Sequence, residues 1–300
     1  MVTYNKRIAS VQFVIFYIYD FIFMNFFHKL AWLSCGLYIL LFPGSTLTVA
    51  LKIVPAWGIG FGAVLMLLQG AATFSWLLAI GGRRGGLAGL LCLGIAWLIE
   101  YIGEMSGLPF GRYAYTELLQ PQIAGIVPLP ITFAWLMVVT GAWQIAGQPG
   151  SARNNSPDRI TASPLITATL VLLLDLQIET VATGVNSYWV WIDQGPYYGV
   201  PTANFVAWWV VGLLMAMLLT KINGSGKDWS QSHPSRKQAS WRRGSWHSRR
   251  RWIFERIPSI LYLLSTLMFI ITNAAHGYWL AAAVGLATLI FVGVWVLRAV

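Results

Sequence analysis

Residues 257–297 read IPSILYLLSTLMFIITNAAHGYWLAAAVGLATLIFVGVWVL, a run without Asp, Glu, Lys or Arg. A transmembrane helix needs roughly 20 apolar residues, so this run is too long for one span and suits two. Near its middle, Asn273-Ala-Ala-His-Gly277 supplies the residues of a turn. The stretch therefore predicts a tight hairpin of two membrane-spanning helices, at about 257–273 and 277–297.

The same apolar character extends over most of the chain. Of its 300 residues, 57% are hydrophobic and only 10% are charged, whereas soluble domains carry roughly 25% charge. We therefore expect an all-α fold, a polytopic membrane bundle of about eight transmembrane helices. The fifth helix is expected to begin at Ser163-Pro164, because Ser is a good N-cap and Pro suits the first helical position. The other six spans are predicted at about 31–50, 57–80, 87–105, 124–146, 164–183 and 203–220.

Lysine and arginine in the short loops predict the orientation of such a bundle. They concentrate at alternate ends of the spans, which places those ends, and both termini of the eight-span core, on the cytoplasmic side of the cell membrane. The residues concerned are Arg83, Arg84, Arg153, Arg159, Arg298 and a basic loop at about 221–256. The opposite loops hold only Lys52 and Arg112.

Two segments differ from this core. Val11–Phe27 is apolar but is interrupted by Asp20, and a span here would put the preceding basic residues outside. We expect residues 1–28 to be an interfacial segment, or translation to start at Met24, and residues 29–298 to form a single membrane domain. Nine of the 20 Lys and Arg lie in the basic loop between Lys227 and Arg256. It is expected to face anionic lipid rather than nucleic acid.

Four carboxylates lie in two of the predicted spans. Glu100 and Glu104 are four residues apart in the third, and Asp175 and Glu179 are four apart in the fifth. Each pair therefore shares one helix face. At 1.5 Å per residue, Glu100 and Asp175 lie about 20 Å and about 17 Å from the cytoplasmic ends of their helices. The two pairs are thus expected at similar depth, in the outer half of the bilayer.

Ionisable groups inside a membrane are costly and mark functional sites. No Lys or Arg lies in either span, so the four carboxylates cannot all be ionised, and a protonated acid beside an ionised one is suited to acid–base chemistry. Two alternatives stay open: Glu104 and Glu179 reach the solvated interface, or the carboxylates hold a divalent cation. No histidine accompanies them and no aspartate-rich DxxxD pattern is present, so no metal is expected.

Two outer loops follow the carboxylate pairs directly. They cover residues 107–115 and 188–205, and both combine Gly and Pro with dense aromatic residues. Arg112 in the first loop could pair with Asp193 or Glu117. The rings are expected to form either an interfacial belt or a lid over a long apolar cavity, where aromatic faces would stabilise a cation.

These segments resemble the membrane carotenoid-biosynthesis protein family. The first signature runs Glu100-Tyr-Ile-Gly-Glu-Met-Ser-Gly-Leu-Pro-Phe-Gly-Arg-Tyr-Ala-Tyr115, followed by Val127-Pro-Leu-Pro-Ile131 and Trp135. The second comprises Asp175, Glu179, Ala182, Trp189-Val-Trp191, Gly195-Pro-Tyr-Tyr-Gly-Val-Pro201 and Asn204-Phe205. Thr180 and Ala207 depart from the family's Pro and Gly, which concerns substrate preference more than fold.

The resemblance implies a carotenoid 1,2-hydratase of the bisanhydrobacterioruberin or γ-carotene 1′-hydratase type, which adds water to the terminal double bond of an acyclic ψ end group. Protonation at C2 would give a tertiary cation at C1, and no cofactor is needed. Glu104 or Asp175 would be the acid and the other the water activator, with Glu100 and Glu179 as supports. The substrate-binding residues would be Phe110, Arg112, Tyr113, Trp189, Trp191, Tyr197, Tyr198 and Asn204, the last positioning water.

Two other functions fit the same residues. A membrane lycopene cyclase would use the same acid and end by losing a proton. A proton-coupled transporter would use the carboxylates as a relay, but it predicts internal repeats, and none is clear. The partners expected for the hydratase are an acyclic carotenoid, water and the lipid bilayer, together with contacts to other carotenoid enzymes.

Overall fold

The computed structural model describes residues 2–55, 58–147, 158–223, 250 and 252–297. Within these residues the chain forms long helices and two small antiparallel sheets, which confirms the predicted all-α membrane bundle. The helices are α1 Val2–Ala50, α2 Phe61–Ser106, α3 Leu129–Ala146, α4 Asp158–Gly184, α5 Thr202–Asn223, α6 Ile257–Ala275 and α7 Trp279–Leu297. The strands are β1 Tyr113–Tyr115, β2 Gln122–Ile123, β3 Val127–Pro128 and β4 Trp189–Trp191.

Helix α2 folds back on itself at Gly82. The backbone there has φ 55° and ψ −138°, a conformation that glycine adopts without steric cost. Gly85 then packs against Leu77 and Gly89 packs against Phe74, so the two halves run antiparallel. We call them α2a (residues 61–81) and α2b (residues 83–106), and they correspond to the second and third predicted spans.

The remaining spans also match the prediction. Among the described residues, six helices have the length and hydropathy of a membrane span, and the shorter apolar helix Trp279–Val294 follows them. The predicted hairpin in the last apolar run is confirmed, because α6 ends at Ala275 and α7 begins at Trp279. Gly277 between them has a positive φ of 83°, as a tight turn there requires.

Two helix starts were predicted wrongly. Helix α4 begins at Asp158, and Pro164 lies inside it rather than at its first position. Helix α3 begins at Leu129 instead of about 124, because β2 pairs with β3 and keeps the chain extended up to Pro128. The apolar patterns located both spans but not these boundaries.

The two segments outside the core remain predictions. Helix α1 continues without interruption through Val11–Phe27 into the first span, and the expected interfacial placement of that stretch is not tested. Most of the basic loop at 221–256 lies outside the described residues.

Helix α3 is the central helix of the bundle. It packs against α2, α4, α5 and α6, and most of its residues are buried. At Gly141 a side chain would collide with Pro258 and Tyr262 of α6, so the absence of one lets these two helices approach closely. Small residues at helix contacts are the usual means of packing helices in lipid. The same helix forms one wall of a cavity beneath the outer loops, through residues that include Met137 and Val138.

Candidate active site

A cavity of about 490 Å³ lies between α1, α2, α3, α4, α5 and α6, beneath the two aromatic outer loops. Its lining includes Phe61 and Gln69 of α2a. These residues are eight positions apart, so the cavity extends about 12 Å along the helix. The lining is predominantly apolar, and no Lys or Arg is among the described residues that form it.

The two outer loops join to form the roof of this cavity. Strands β1 and β4 pair antiparallel, with Tyr113 opposite Trp191 and Tyr115 opposite Trp189. Alternate residues of a strand point to opposite faces, so these four rings share the inner face, while Val190 between the tryptophans is 55% exposed. All four rings line the cavity. The loops therefore form an aromatic lid, which we define as β1 and β4.

Glu100 of α2b lines the cavity below β1 and is 4% exposed. Its Oε2 accepts hydrogen bonds from the hydroxyls of Tyr113 and Tyr115, both at 2.7 Å. Its Oε1 accepts a third from the indole Nε1 of Trp135 at 2.7 Å. Three donors stabilise the ionised form of a buried carboxyl group.

The two tyrosines lie outside the membrane-spanning segments and remain donors. Burial, and then the negative charge of Glu100, raises the pKa of Tyr113 and of Tyr115 well above the usual value. Both hydroxyls therefore keep their protons and point them at the carboxylate. These two hydrogen bonds hold the carboxyl group of Glu100 beneath β1.

Glu179 of α4 is the corresponding carboxyl group below β4 and is 2% exposed. Its Oε2 accepts hydrogen bonds from the indoles of Trp189 at 3.2 Å and Trp191 at 2.9 Å. Its Oε1 accepts one from Nδ2 of Asn204 at 3.0 Å. Each strand of the lid is thus attached to one carboxyl group.

A second carboxyl group lies directly behind Glu179. Asp175 is fully buried, and its Oδ2 accepts a hydrogen bond from the same Asn204 nitrogen at 3.2 Å. Its Oδ1 has no hydrogen-bond partner among the described residues. A buried ionised oxygen without a donor is costly, and two carboxyl groups that share one amide nitrogen repel each other when both are charged. We define Asp175, Asn204 and Glu179 as the acid pair with its bridge.

The structure does not bring every predicted site residue to the cavity wall. Phe110, Tyr113, Trp189, Trp191 and Asn204 line it together with Glu100 and Glu179. Outside the lining are Glu104, Asp175, Arg112, Tyr197 and Tyr198.

The residues outside the lining have identifiable local contacts. Glu104 is half-buried and accepts two weak hydrogen bonds of 3.3 Å from the backbone N–H of Tyr115. The hydroxyl of Tyr197 donates to the carbonyl of Leu176 at 2.7 Å. Tyr198 is 43% exposed and its ring packs edge-on against Tyr278. These contacts account for the positions of the three side chains without any ligand.

Arg112 and Asp193 connect the two loops on the outer surface of the lid. The guanidinium donates to Oδ1 of Asp193 at 2.7 Å, and the backbone N–H of Arg112 donates to Oδ2 at 2.8 Å. These hydrogen bonds lower the pKa of Asp193. Of the two partners predicted for Arg112, the structure selects Asp193.

Several lining residues were not predicted. Trp208 of α5 lines the cavity and stacks on Trp135 with ring centroids 3.6 Å apart, and Tyr115 completes the lid. Trp135 lay in the quoted signature, but its contact with Glu100 had no signal in the local spacing. Helix α1 also contributes a wall, although it carries no polar motif that would have indicated this.

Comparison with known proteins adds two findings. A family model described as "Carotenoid biosynthesis protein" matches residues 61–292, which is most of the chain. The chain is also similar to the bisanhydrobacterioruberin hydratase of Haloarcula japonica, with 27% identity over 136 residues. That alignment covers 45% of each protein, less than half of the relative's length. No solved structure matches.

Proposed function

Because the chain belongs to the carotenoid biosynthesis protein family, we propose that it adds water across the terminal 1,2 double bond of an acyclic carotenoid end group. The observation that carries this proposal is the pair of buried carboxyl groups, Glu100 and Glu179, which line one apolar cavity from different helices under an aromatic lid. Hydration of an alkene needs both an acid and a base next to an apolar substrate. The similarity to a hydratase supports the same reaction.

Glu179 is the proposed acid. Glu179 and Asp175 are bridged by Asn204 within a site where no cationic side chain is among the described lining residues. Such a pair holds one proton between its two carboxyl groups. Glu179 lines the cavity and Asp175 does not, so the proton reaches C2 of the end group from Glu179.

Glu100 is the proposed base. Its three hydrogen bonds stabilise the carboxylate, which suits it to accept a proton from water as the oxygen bonds to C1. This assignment differs from the expectation that Glu104 or Asp175 acts directly, since neither lines the cavity. Transfer of the accepted proton back to the acid pair completes the cycle, and the net change is the addition of one water to one double bond.

The lid has two proposed roles in this reaction. Trp189, Trp191 and Tyr113 line the cavity, and aromatic faces attract a cation, with an effect of about 2 kcal/mol or more in a desolvated site. The lid also limits the access of bulk water to the intermediate. No cofactor enters these steps, and the partners proposed are the carotenoid, a single water and the lipid of the cell membrane.

Pigment analysis tests the proposal. The gene is expressed in a host that accumulates lycopene or γ-carotene, and the pigments are measured by mass spectrometry. We expect a new, more polar pigment that is heavier by one water molecule. A product of unchanged mass would show cyclisation instead. Unchanged lycopene, γ-carotene and longer acyclic carotenoids, with the protein present in the membrane, would contradict the proposal.

A further inference from the structure

The cavity does not end at the bundle interior but reaches the surface along α1. Two of the lining residues that α1 contributes, Leu40 and Gly44, are exposed, Leu40 to the extent of 74%. Leu41 and Thr48 line it as well. Positions 40, 41, 44 and 48 share one flank of a helix. The cavity therefore opens along this flank of α1, at the level of the bilayer.

Gly44 leaves this opening wide. A Cβ atom built at Gly44 would meet no atom of another element within 4 Å. Helix α1 is also the least buried of the six candidate spans among the described residues. In its most apolar 18-residue segment 22% of the residues are buried, compared with 72% in α3. The opening thus faces lipid rather than a neighbouring helix.

The length of the substrate requires such an opening. The cavity extends about 12 Å from its outer end to Gln69, and the polyene of an acyclic carotenoid is several times longer. With the reacting end between Glu100 and Glu179, the rest of the polyene must leave the protein. The rest of the lining comes from packed helices, from the lid and its flanking loops, and from the short connection between α1 and α2, where Pro55 and Ile59 at the outer end are also exposed.

We propose that the flank of α1 around Gly44 is a binding groove for the polyene and the lateral route by which the carotenoid enters from the bilayer. The inference rests on the proposed function for the identity of the occupant. A carotenoid is dissolved in the hydrocarbon of the membrane, so a lateral route spares it any passage through water. The lid can then stay closed while the substrate enters from the side.

Two matched variants test the groove. Gly44→Phe places a ring in the opening. Gly36→Phe places the same ring on α1 at an exposed position that also has no atom within 4 Å of the added Cβ but does not line the cavity. An added Cβ meets no atom within 4 Å at either position, and both variants replace glycine in a helix, where it is unfavourable. Each variant is compared with the unaltered protein for two substrates, a full-length acyclic carotenoid and a short acyclic isoprenoid with the same end group.

The readouts are product formation and the amount of carotenoid retained by the purified protein, measured by its absorbance. For Gly44→Phe we expect the ratio of long to short substrate turnover, and the retained carotenoid, to fall at least about tenfold, whereas Gly36→Phe keeps both at the unaltered level. Equal behaviour of the two variants would overturn the groove. If the unaltered protein retains carotenoid but does not hydrate it, the proposed reaction is wrong. The groove is then tested by the retained carotenoid alone, which should be lower in Gly44→Phe than in Gly36→Phe. A protein that retains no acyclic carotenoid would overturn both.

Discussion

The two halves of the candidate site have the same construction and different chemistry. In each, a helix carries two carboxyl groups four residues apart, and a short strand after that helix sends two aromatic side chains down to one of them. Glu100 receives its hydrogen bonds from two tyrosine hydroxyls and Trp135. Glu179 receives its hydrogen bonds from two indoles and Asn204, with Asp175 behind it.

The difference lies in the second carboxyl group of each half. Asp175 shares the Asn204 nitrogen with Glu179, whereas Glu104 accepts from the backbone N–H of Tyr115. Glu100 and Glu179 each accept three hydrogen bonds, so the proposed acid role of Glu179 rests on the proton that it shares with Asp175. The proposed base role of Glu100 rests on its three donors without such a partner. The proposal thus places an acid and a base on different helices around one cavity.

Removing the acid is expected to have the largest effect. Glu179→Gln keeps the shape of the side chain and an oxygen for the indoles, but it has no proton to give. We expect hydration to fall by about 10²- to 10⁴-fold, with the folded protein retained, as measured by product formation per amount of membrane protein. The matched control is Glu104→Gln, the same change at a half-buried glutamate outside the cavity lining. A comparable loss in both variants would remove Glu179 from its role.

Removing the second carboxyl group of the acid pair is expected to have the next largest effect. Asp175→Asn leaves Glu179 in place but takes away the partner with which it shares a proton. Since Asp175 does not line the cavity, this variant should keep its affinity for carotenoid while turnover falls about tenfold or more. Pigment retention and product formation are measured on the same preparation. Full turnover in Asp175→Asn would show that Glu179 holds its proton unaided.

Removing a single hydrogen bond to Glu100 or Glu179 is expected to have a smaller effect than removing an acidic group. Trp191→Phe removes a 2.9 Å donor from Glu179, and Tyr113→Phe removes a 2.7 Å donor from Glu100. A hydrogen bond to a charged group contributes about 1.5–3 kcal/mol, so each change should reduce turnover by about ten- to a hundredfold. Trp279→Phe, at an exposed site outside the cavity lining, is the control and should retain activity. If neither lid variant differs from it, the lid bonds do not support catalysis.

The ion pair on the outside of the lid is expected to contribute least. Asp193→Asn removes the acceptor of Arg112 at an exposed position. Because the pKa of Asp193 is lowered in the folded protein, its stabilising effect is full above the ordinary value of about 4 and is lost as the pH falls through the lower folded value. Thermal unfolding in detergent should therefore show a small loss for this variant at neutral pH and none in strong acid. Glu117→Gln, at the other acidic position considered, should match the unaltered protein at both pH values.

The sequence alone predicted the helical membrane bundle, and it showed that each aromatic loop directly follows a pair of carboxylates. Spans are long apolar runs, so apolar character and length locate them without tertiary information. The rotation of each helix about its axis is different, because it depends on packing against neighbours. Glu100 and Glu104 share a face by spacing, yet only Glu100 lies on the cavity wall, and no local pattern distinguishes them.

The lid shows the same limit. Trp189 and Trp191 were predicted for the pocket and line it, because alternation in β4 points both inward. Tyr197 and Tyr198 lie beyond the end of that strand, where alternation no longer applies. The wall contributed by α1 had no sequence signal at all, since its lining residues are those of any apolar helix.

The origin of the oxygen in the product shows whether water is added at this site. Membranes that contain the protein and an acyclic carotenoid are incubated in water labelled with heavy oxygen, and the pigment is analysed by mass spectrometry. We expect one labelled oxygen for each hydrated end group with the unaltered protein, and almost none with Glu179→Gln. A product of unchanged mass, or one whose oxygen carries no label, would contradict acid-initiated addition of water at this site.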